Sequence, residues 1–175
     1  RKTEVSVKLD MVGAVVAAFD PSCARIRTTK LVRGIARVLS DAGVLIYEQT
    51  RAKSIQPRLV ITDHGRVRAR FVIRATEGFT PTLNRGKSKR EIIPVYSLMV
   101  ATEPIPSWIW EKIGLRAYET FTEARHLIVY GQRTADDRLA VGGRGAPYFY
   151  GSKIAPSQDQ DPRVHAGLRK LIREW

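Results

Sequence analysis

The apolar residues change period partway along the chain, and that change does most to fix what the chain can fold into. Leu31, Val32, Ile35, Ala36 and Leu39 recur at the spacing of one helix face, with Lys30, Arg33 and Arg37 largely outside it. Thr28 or Thr29 is expected to cap this helix, because a hydroxyl can accept a free backbone N–H of the first turn. Gly43 suits the left-handed turn that ends it. From there the period falls to two. Val44–Tyr47 reads as a short buried strand, and Lys53–Gln56, Leu59–Thr62 and Arg66–Arg74 as a β-meander broken by Pro57 and Asp63-His64-Gly65. In the last segment Val67, Ala69, Phe71 and Ile73 alternate with Arg66, Arg68 and Arg70, which predicts one buried and one basic face.

The flanks add further elements. Val5, Val7 and Leu9 alternate as a half-buried strand, and Val12–Phe19 reads as a buried strand stopped by Asp20-Pro21. Asn84-Arg85-Gly86-Lys87-Ser88-Lys89-Arg90 reads as a charged linker between two lobes. Beyond it the pattern predicts a long strand over 92–102 and a short helix over 107–113 entered through Pro106. Strands follow over 117–121, 126–130 and 138–142, the last two joined as a hairpin through Thr134–Asp137. A terminal helix carries Val164, Leu168, Leu171 and Ile172 on its apolar face. There is no internal repeat and no low-complexity segment.

Composition enters where partners are at issue. The chain of 175 residues has 30 Lys+Arg against 17 Asp+Glu, a net charge of +13, and one cysteine. That length can bury a core, and 43% hydrophobic residues exclude a disordered tail. A lone Cys23 excludes an intramolecular disulfide and a cysteine-based zinc cage. His64, His126 and His165 are too scattered for a local metal motif, and His126 reads as structural. No stretch reaches the ~20 apolar residues of a membrane span, and no leader is legible, so a cytoplasmic location is expected. Residues 1–90 hold 19 basic and 7 acidic side chains but 4 aromatics; residues 91–175 hold 11, 10 and 10. A basic part and an aromatic part suggest two lobes with different partners.

Three local chemistries are open. The strand ending Val72–Gly78 presents small residues that let backbone approach a phosphate, yet no Gly-x-Gly-x-x-Gly accompanies it; the bland alternative is an ordinary strand exit. Arg66, Arg68 and Arg70 could form a basic stripe for nucleic acid, or simply solvate a sheet face. No helix-turn-helix, zinc finger or aromatic-studded RNA-binding sheet is legible. Gly142–Gly151 sets glycines and aromatics around Arg144, whose fork could hold a carboxylate. A Gly-rich loop packing its own aromatics explains the same residues, and no nucleophile elbow is present.

Thr29-Lys30-Leu31-Val32-Arg33-Gly34-Ile35-Ala36, then Gly43–Glu48, Phe71–Thr80 and Ile93–Pro104, together with Gln132–Asp136 and Gly142–Tyr148, resemble the flavin-dependent glycine/D-amino-acid oxidase (DAO) family over nearly the whole chain. The resemblance implies a mixed α/β (α+β) fold in which residues 27–84 are part of an FAD-binding lobe with a β-meander, interleaved with a substrate-binding lobe of residues 1–26 and 85–175 built on a mixed sheet. It implies FAD contacts at Arg51, Ala52, Ala75, Thr76, Glu77, Gly142 and Gly143. It also implies a substrate pocket drawn from Tyr96, Met99, Tyr130, Arg133 and Arg144.

For a complete member, the implied chemistry is hydride transfer from the α-carbon of an amine or amino acid to flavin. The cofactor carries that step and the protein orients the substrate, so no catalytic side chain is named. The sequence also departs from the family. The N-terminal glycine fingerprint and the C-terminal flavin-contacting segment are missing. Thr28 replaces a common proline and Asp137 a hairpin glycine, and Glu77 replaces a small residue beside the diphosphate, which its carboxylate would repel. The chain therefore reads as a truncated fragment that is inactive alone, does not retain FAD by itself and has the missing remainder of the enzyme as its partner. The alternatives are a basic, non-enzymatic module for an anionic partner such as nucleic acid, or a structural remnant.

Overall fold

Residues 8–14, 16–124, 126, 128–145 and 148–175 are described by a computed structural model. They form two compact units, one made of residues 27–95 with 147–156, the other of 1–26, 96–146 and 157–175. The combination of helices with two antiparallel sheets is the mixed α/β fold expected from the sequence.

In the first unit the helical period is realised as α1, Thr28–Asp41. Its cap differs from expectation. Arg27 takes the capping position with extended backbone and no side-chain cap, so Thr28 and Thr29 lie inside the first turn. Ala42 N–H donates to Val38 O (3.0 Å), Gly43 N–H to Ser40 O (2.9 Å), and Gly43 turns left-handed at φ +85°. Val44–Tyr47 forms no strand and stays exposed. A strand needs a neighbour for its backbone groups, and no described strand pairs with it. Leu31, Val32, Ile35 and Leu39 are likewise uncovered.

The meander is present as β1 (Ala52–Gln56), β2 (Leu59–Thr62) and β3 (Arg66–Arg68), antiparallel in that order. The third strand is shorter than the 66–74 expected, because β2 offers only Leu59, Val60 and Ile61 as partners. Beyond it Ala69 N–H still donates to Arg58 O (3.2 Å), and then pairing ends. The predicted buried face therefore fails: Val67 and Phe71 are exposed, and Ile73 is 89% exposed.

Residues 84–90 are no linker. They form 3-10 turns held against β1. The Asn84 Oδ1 atom accepts from Ser54 Oγ (2.9 Å) and from the Ile55 N–H (3.1 Å). Ser88 is buried, and Ser152 Oγ donates to Lys89 O (3.1 Å). Nearby Glu91 is held below its ordinary pKa by a hydrogen bond from Ser88 and by Arg74, whose Nη2 lies 2.5 Å from its carboxylate.

The second unit is built on a four-stranded antiparallel sheet. In chain order β4 is Ser97–Ala101, β5 Thr120–Glu123, β6 Val129–Arg133 and β7 Leu139–Arg144; in space the order is β4-β7-β6-β5. The strand expected over 92–102 contracts to β4, since β7 pairs only with 97–101 and Pro94 has no N–H to offer. The strands expected at 117–121 and 126–130 are displaced toward the C-terminus. The hairpin turn between β6 and β7 stands: Thr134 N–H donates to Arg138 O (2.9 Å), and Asp137 holds φ +59°, the left-handed conformation that usually favours glycine.

Helix α2, Ser107–Ile113, enters through Pro106 as its sequence predicts. Helix α3, Pro162–Glu174, presents Leu168 to the core. Trp110, Leu115, Val129, Leu139, Val141 and Leu168 form that core. Gly114, at φ +98°, lets the first described residues approach: a Cβ there would lie 2.5 Å from Lys8 O, and Leu9 bridges to Gly114. Val5 and Val7 lie outside the described residues. The described residues of the run 12–19 form no strand, and Val12, Val16 and Phe19 are exposed; Val15 lies outside the described residues. No helix among the described residues is long and apolar enough to cross a membrane.

Asp161 caps α3 by accepting from Arg163 N–H (2.9 Å) and Val164 N–H (3.4 Å). The hydrogen bond from the Arg163 side chain, then that from its backbone, lowers the Asp161 pKa. A lowered folded-state value means the carboxylate stabilises fully above its unfolded pKa, about 4. That contribution is lost as pH falls through the lower folded value. Urea midpoints of the parent are therefore expected to drop on acidification below about pH 4, and Asp161→Ala should lower the neutral midpoint and flatten part of the drop. An unchanged neutral midpoint would show that the cap does not hold α3.

Candidate active-site face of the four-stranded sheet

Strand register sorts the residues of this sheet into two faces. Met99 pairs with Gly142, Gly142 with Tyr130, and Tyr130 with Thr122, so these four form one row across all four strands. Ala101, Ala140, Gln132 and Thr120 form the next row on the same face. The opposite face carries Val100, Val141, Gly131 and Phe121, with Leu98, Gly143 and Val129 beside them, and packs into the core. Met99, Ala101, Thr120 and Thr122 are exposed, so the first face is open. The Tyr130 ring lies over Gly142: a Cβ on that glycine would meet Cε2 at 2.6 Å and Cζ at 2.7 Å.

Three of the residues marked in the sequence thus come together: Met99, Tyr130 and Gly142. Gly143, one residue on, faces the core, and a Cβ there would lie 3.3 Å from Leu168 Cδ2. Arg133 is separated from Tyr130 in the same way. Three residues along one strand reverse the face, and Arg133 is spent on structure. Its Nη2 and Nε lie 2.6 and 2.8 Å from Asp137 Oδ1. Its guanidinium sits 4.8 Å from the Trp110 ring centroid and 4.7 Å from that of Tyr118. Tyr96 precedes β4 and donates its hydroxyl to Gln158 Oε1 (2.8 Å). Arg144 is the last residue of β7, with its backbone opposite Ser97. The Gly142–Gly151 stretch does not act as one loop: Gly142 and Gly143 are sheet residues, whereas Tyr148–Gly151 belong to the other unit.

Gln132, Thr122 and Thr120 share the open face but were not singled out in the sequence. Gln132 follows from Tyr130 by a step of two once the strand is known to run on to Arg133. The threonines needed the pairing register, which sequence alone does not supply.

The cofactor-marked residues of the first unit are placed as follows. Arg51 donates its N–H to Asp63 Oδ1 (3.0 Å) and accepts at its carbonyl from Asp63 N–H (3.2 Å); Ala52 pairs with Thr62. Ala75 is exposed, and Thr76 shares a hydrogen bond with Thr80 (Oγ1···Oγ1 2.8 Å). No strand runs into this turn. Glu77 is left-handed at φ +37°, and its carboxylate accepts the Gly78 N–H. Two backbone donors in these segments are thus taken by carboxylates, and a carboxylate repels a diphosphate. As placed, these residues do not form a dinucleotide cradle. Among the described residues no group of His, Cys, Asp and Glu side chains is placed to hold a metal ion.

Comparison with known proteins accords with the sequence resemblance. The profile of the DAO family, described as FAD dependent oxidoreductase, matches residues 3–175. The chain is also 28% identical over 131 residues to the probable oxidoreductase OrdL of Rhizobium meliloti (strain 1021). That alignment covers 73% of this chain and 30% of the relative's length. Neither comparison points to nucleic acid. With its profile match running over nearly every residue, the chain belongs to the FAD dependent oxidoreductase (DAO) family, and FAD is the cofactor that membership implies.

Proposed function

We propose that this chain works as part of a larger flavoprotein that oxidises an amine or amino acid, and that it is inactive alone. The observation that carries this reading is the row of Met99, Gly142 and Tyr130 on an open sheet face. We assign the substrate lobe to residues 1–26 and 85–175 and part of the FAD lobe to 27–84. Within the substrate lobe the Tyr130 ring and the Met99 thioether form an apolar floor that orients the substrate and excludes water, and Gln132 supplies an amide at its edge. Gly142 sets the height of that floor by admitting the ring flat against the strand. Uncovered apolar side chains on α1 and at Val44, Leu45 and Ile46 support a partner in the rest of the enzyme.

The test compares two preparations. The 175-residue chain is expected to purify colourless and to leave added FAD fluorescence unchanged. The product of the reading frame extended on both sides is expected to carry flavin whose absorption bleaches anaerobically with an amine or amino acid. An extended product that holds no flavin, or whose flavin is bleached only by substrates lacking an amine, would overturn the proposal.

A further inference from the structure

Beside the row of Met99, Gly142 and Tyr130 runs the second row of the open face, Ala101, Ala140, Gln132 and Thr120. Rows on one face lie two residues apart, about 6.8 Å along the strands. Ala101 and Ala140 reach no further than a Cβ, so this row is shallow at their end. Gln132 and Thr120 close it at the other. They are direct partners across β6 and β5, which brings their Cβ atoms within about 5.5 Å of each other.

The pair is uncharged and unengaged. Gln132 is half-buried, and among the described residues neither its amide nor the Thr120 hydroxyl has a hydrogen-bond partner within the chain. Thr122, by contrast, donates to Val129 O (3.1 Å). Two nearby arginines are committed to carboxylates: Arg133, on the other face, to Asp137 (Nη2 2.6 Å) and Arg138, at the hairpin, to Asp136 (Nε 2.8 Å). Gln132 and Thr120 thus offer both senses of hydrogen bonding from neutral groups, a donating and accepting amide beside a hydroxyl.

Taking this as the substrate face, on the reading given above, we propose that Gln132, with Thr120, is the specificity-determining residue of the reaction. It takes an uncharged group that both donates and accepts a hydrogen bond, a hydroxyl or a carboxamide, at the end of the amine substrate away from the reacting carbon. Such a group satisfies the amide and the hydroxyl together. A methyl end leaves both unpaired, and a carboxylate or second ammonium gives up hydration without a countercharge from the pair. The spacing of one row from Tyr130 sets the reach between the two ends of the substrate.

The experiment measures kcat/KM of the extended flavoprotein for primary amines of one chain length ending in methyl, hydroxyl, carboxylate or ammonium. The hydroxyl-ended amine is expected to be favoured about tenfold over each of the others. Gln132→Leu should bring the hydroxyl-to-methyl ratio close to unity. Gln132→Glu should turn the preference about tenfold toward the ammonium end. Thr120→Val should cut the hydroxyl-to-methyl ratio about threefold, and Thr120→Ser, which keeps the hydroxyl, should retain it. These are ratios within one protein, so a residue acting only through folding or flavin content leaves them where they were. Amine oxidation whose ratios do not move in the Gln132 variants overturns this assignment and leaves the wider reading standing. A parent that prefers a methyl or charged end, or that bleaches with amino acids and with none of these amines, does the same. A flavin that neither amines nor amino acids bleach overturns both.

Discussion

Trp110→Ala is expected to destabilise the sheet-bearing unit by about 3–5 kcal/mol, the cost of emptying a large aromatic from a packed core. Trp110 is 2% exposed and sits among Leu115, Val129, Leu139, Val141 and Leu168. It is tied in twice more: Nε1–H donates to Asp137 O (3.1 Å), and the Arg133 guanidinium lies 4.8 Å from its ring centroid. Removing the ring leaves a cavity, takes one of two donors from the Asp137 carbonyl, which keeps the Ile105 N–H (2.7 Å), and leaves the Arg133 guanidinium on the Tyr118 ring alone. Against a typical domain stability of about 5–15 kcal/mol this is a large fraction. Trp108, two residues earlier on α2, is the internal control. It is 58% exposed, with Lys112 Nζ 5.4 Å from its ring centroid, so Trp108→Ala should cost only about 0.5 kcal/mol. Urea unfolding followed by backbone circular dichroism measures both. Equal losses would mean that the core is not organised around Trp110.

Two glycines on neighbouring strands are expected to respond in opposite ways to one added methyl group. In Gly131→Ala the new Cβ would lie 2.5 Å from Phe121 Cζ and 3.0 Å from Ala140 O. The phenyl ring is held edge-on against Trp175, centroids 5.5 Å apart, and the carbonyl is backbone, so neither can yield cheaply. Overpacking of this kind costs about 1–3 kcal/mol. In Gly142→Ala the clash is with the far end of the Tyr130 side chain, on the open face, where the ring can swing away. Stability should then change by less than about 1 kcal/mol. In the extended flavoprotein, however, the displaced ring should lower kcat/KM by about tenfold or more, as misplacement of a substrate-orienting surface does. Chemical unfolding of both variants and steady-state amine oxidation of the second decide it. A large stability loss in Gly142→Ala would place that glycine in the core and remove the open face from the site.

Much of this architecture was legible because it is written in local terms. The α1 face repeats at helical spacing, Pro106 opens α2, and the meander announces itself by short alternating runs between turn residues. The misreadings share one physical cause. Apolar pattern states what a segment would bury, not whether a partner is there to bury it. Val44–Tyr47, the run 12–19 and Phe71–Ile73 all carry strand-like residues, yet none of those described is in a strand, and Val12, Val16, Phe19, Val44–Tyr47, Phe71 and Ile73 are exposed. Arg133 shows the same limit at the site. The strand is expected to end at 130; with β6 running to 133, alternation sets Arg133 on the face opposite Tyr130. Asp137 went the other way: its departure from a family glycine marked a real left-handed turn.

The bare face of α1 has a thermodynamic consequence. A helix of 14 residues with no buried side chain has little beyond its own propensity to hold it, and isolated helices of that length are marginal in water. With the rest of the enzyme as the partner proposed above, folding of α1 is governed by an association equilibrium. Its free energy rises with the concentration and affinity of whatever covers it, as mass action requires. Local opening there costs least, well below the free energy needed to break the sheet around Trp110. On that proposal the two units are two thermodynamic systems: one closed on its own core, the other carrying a helix open to exchange with the rest of the enzyme.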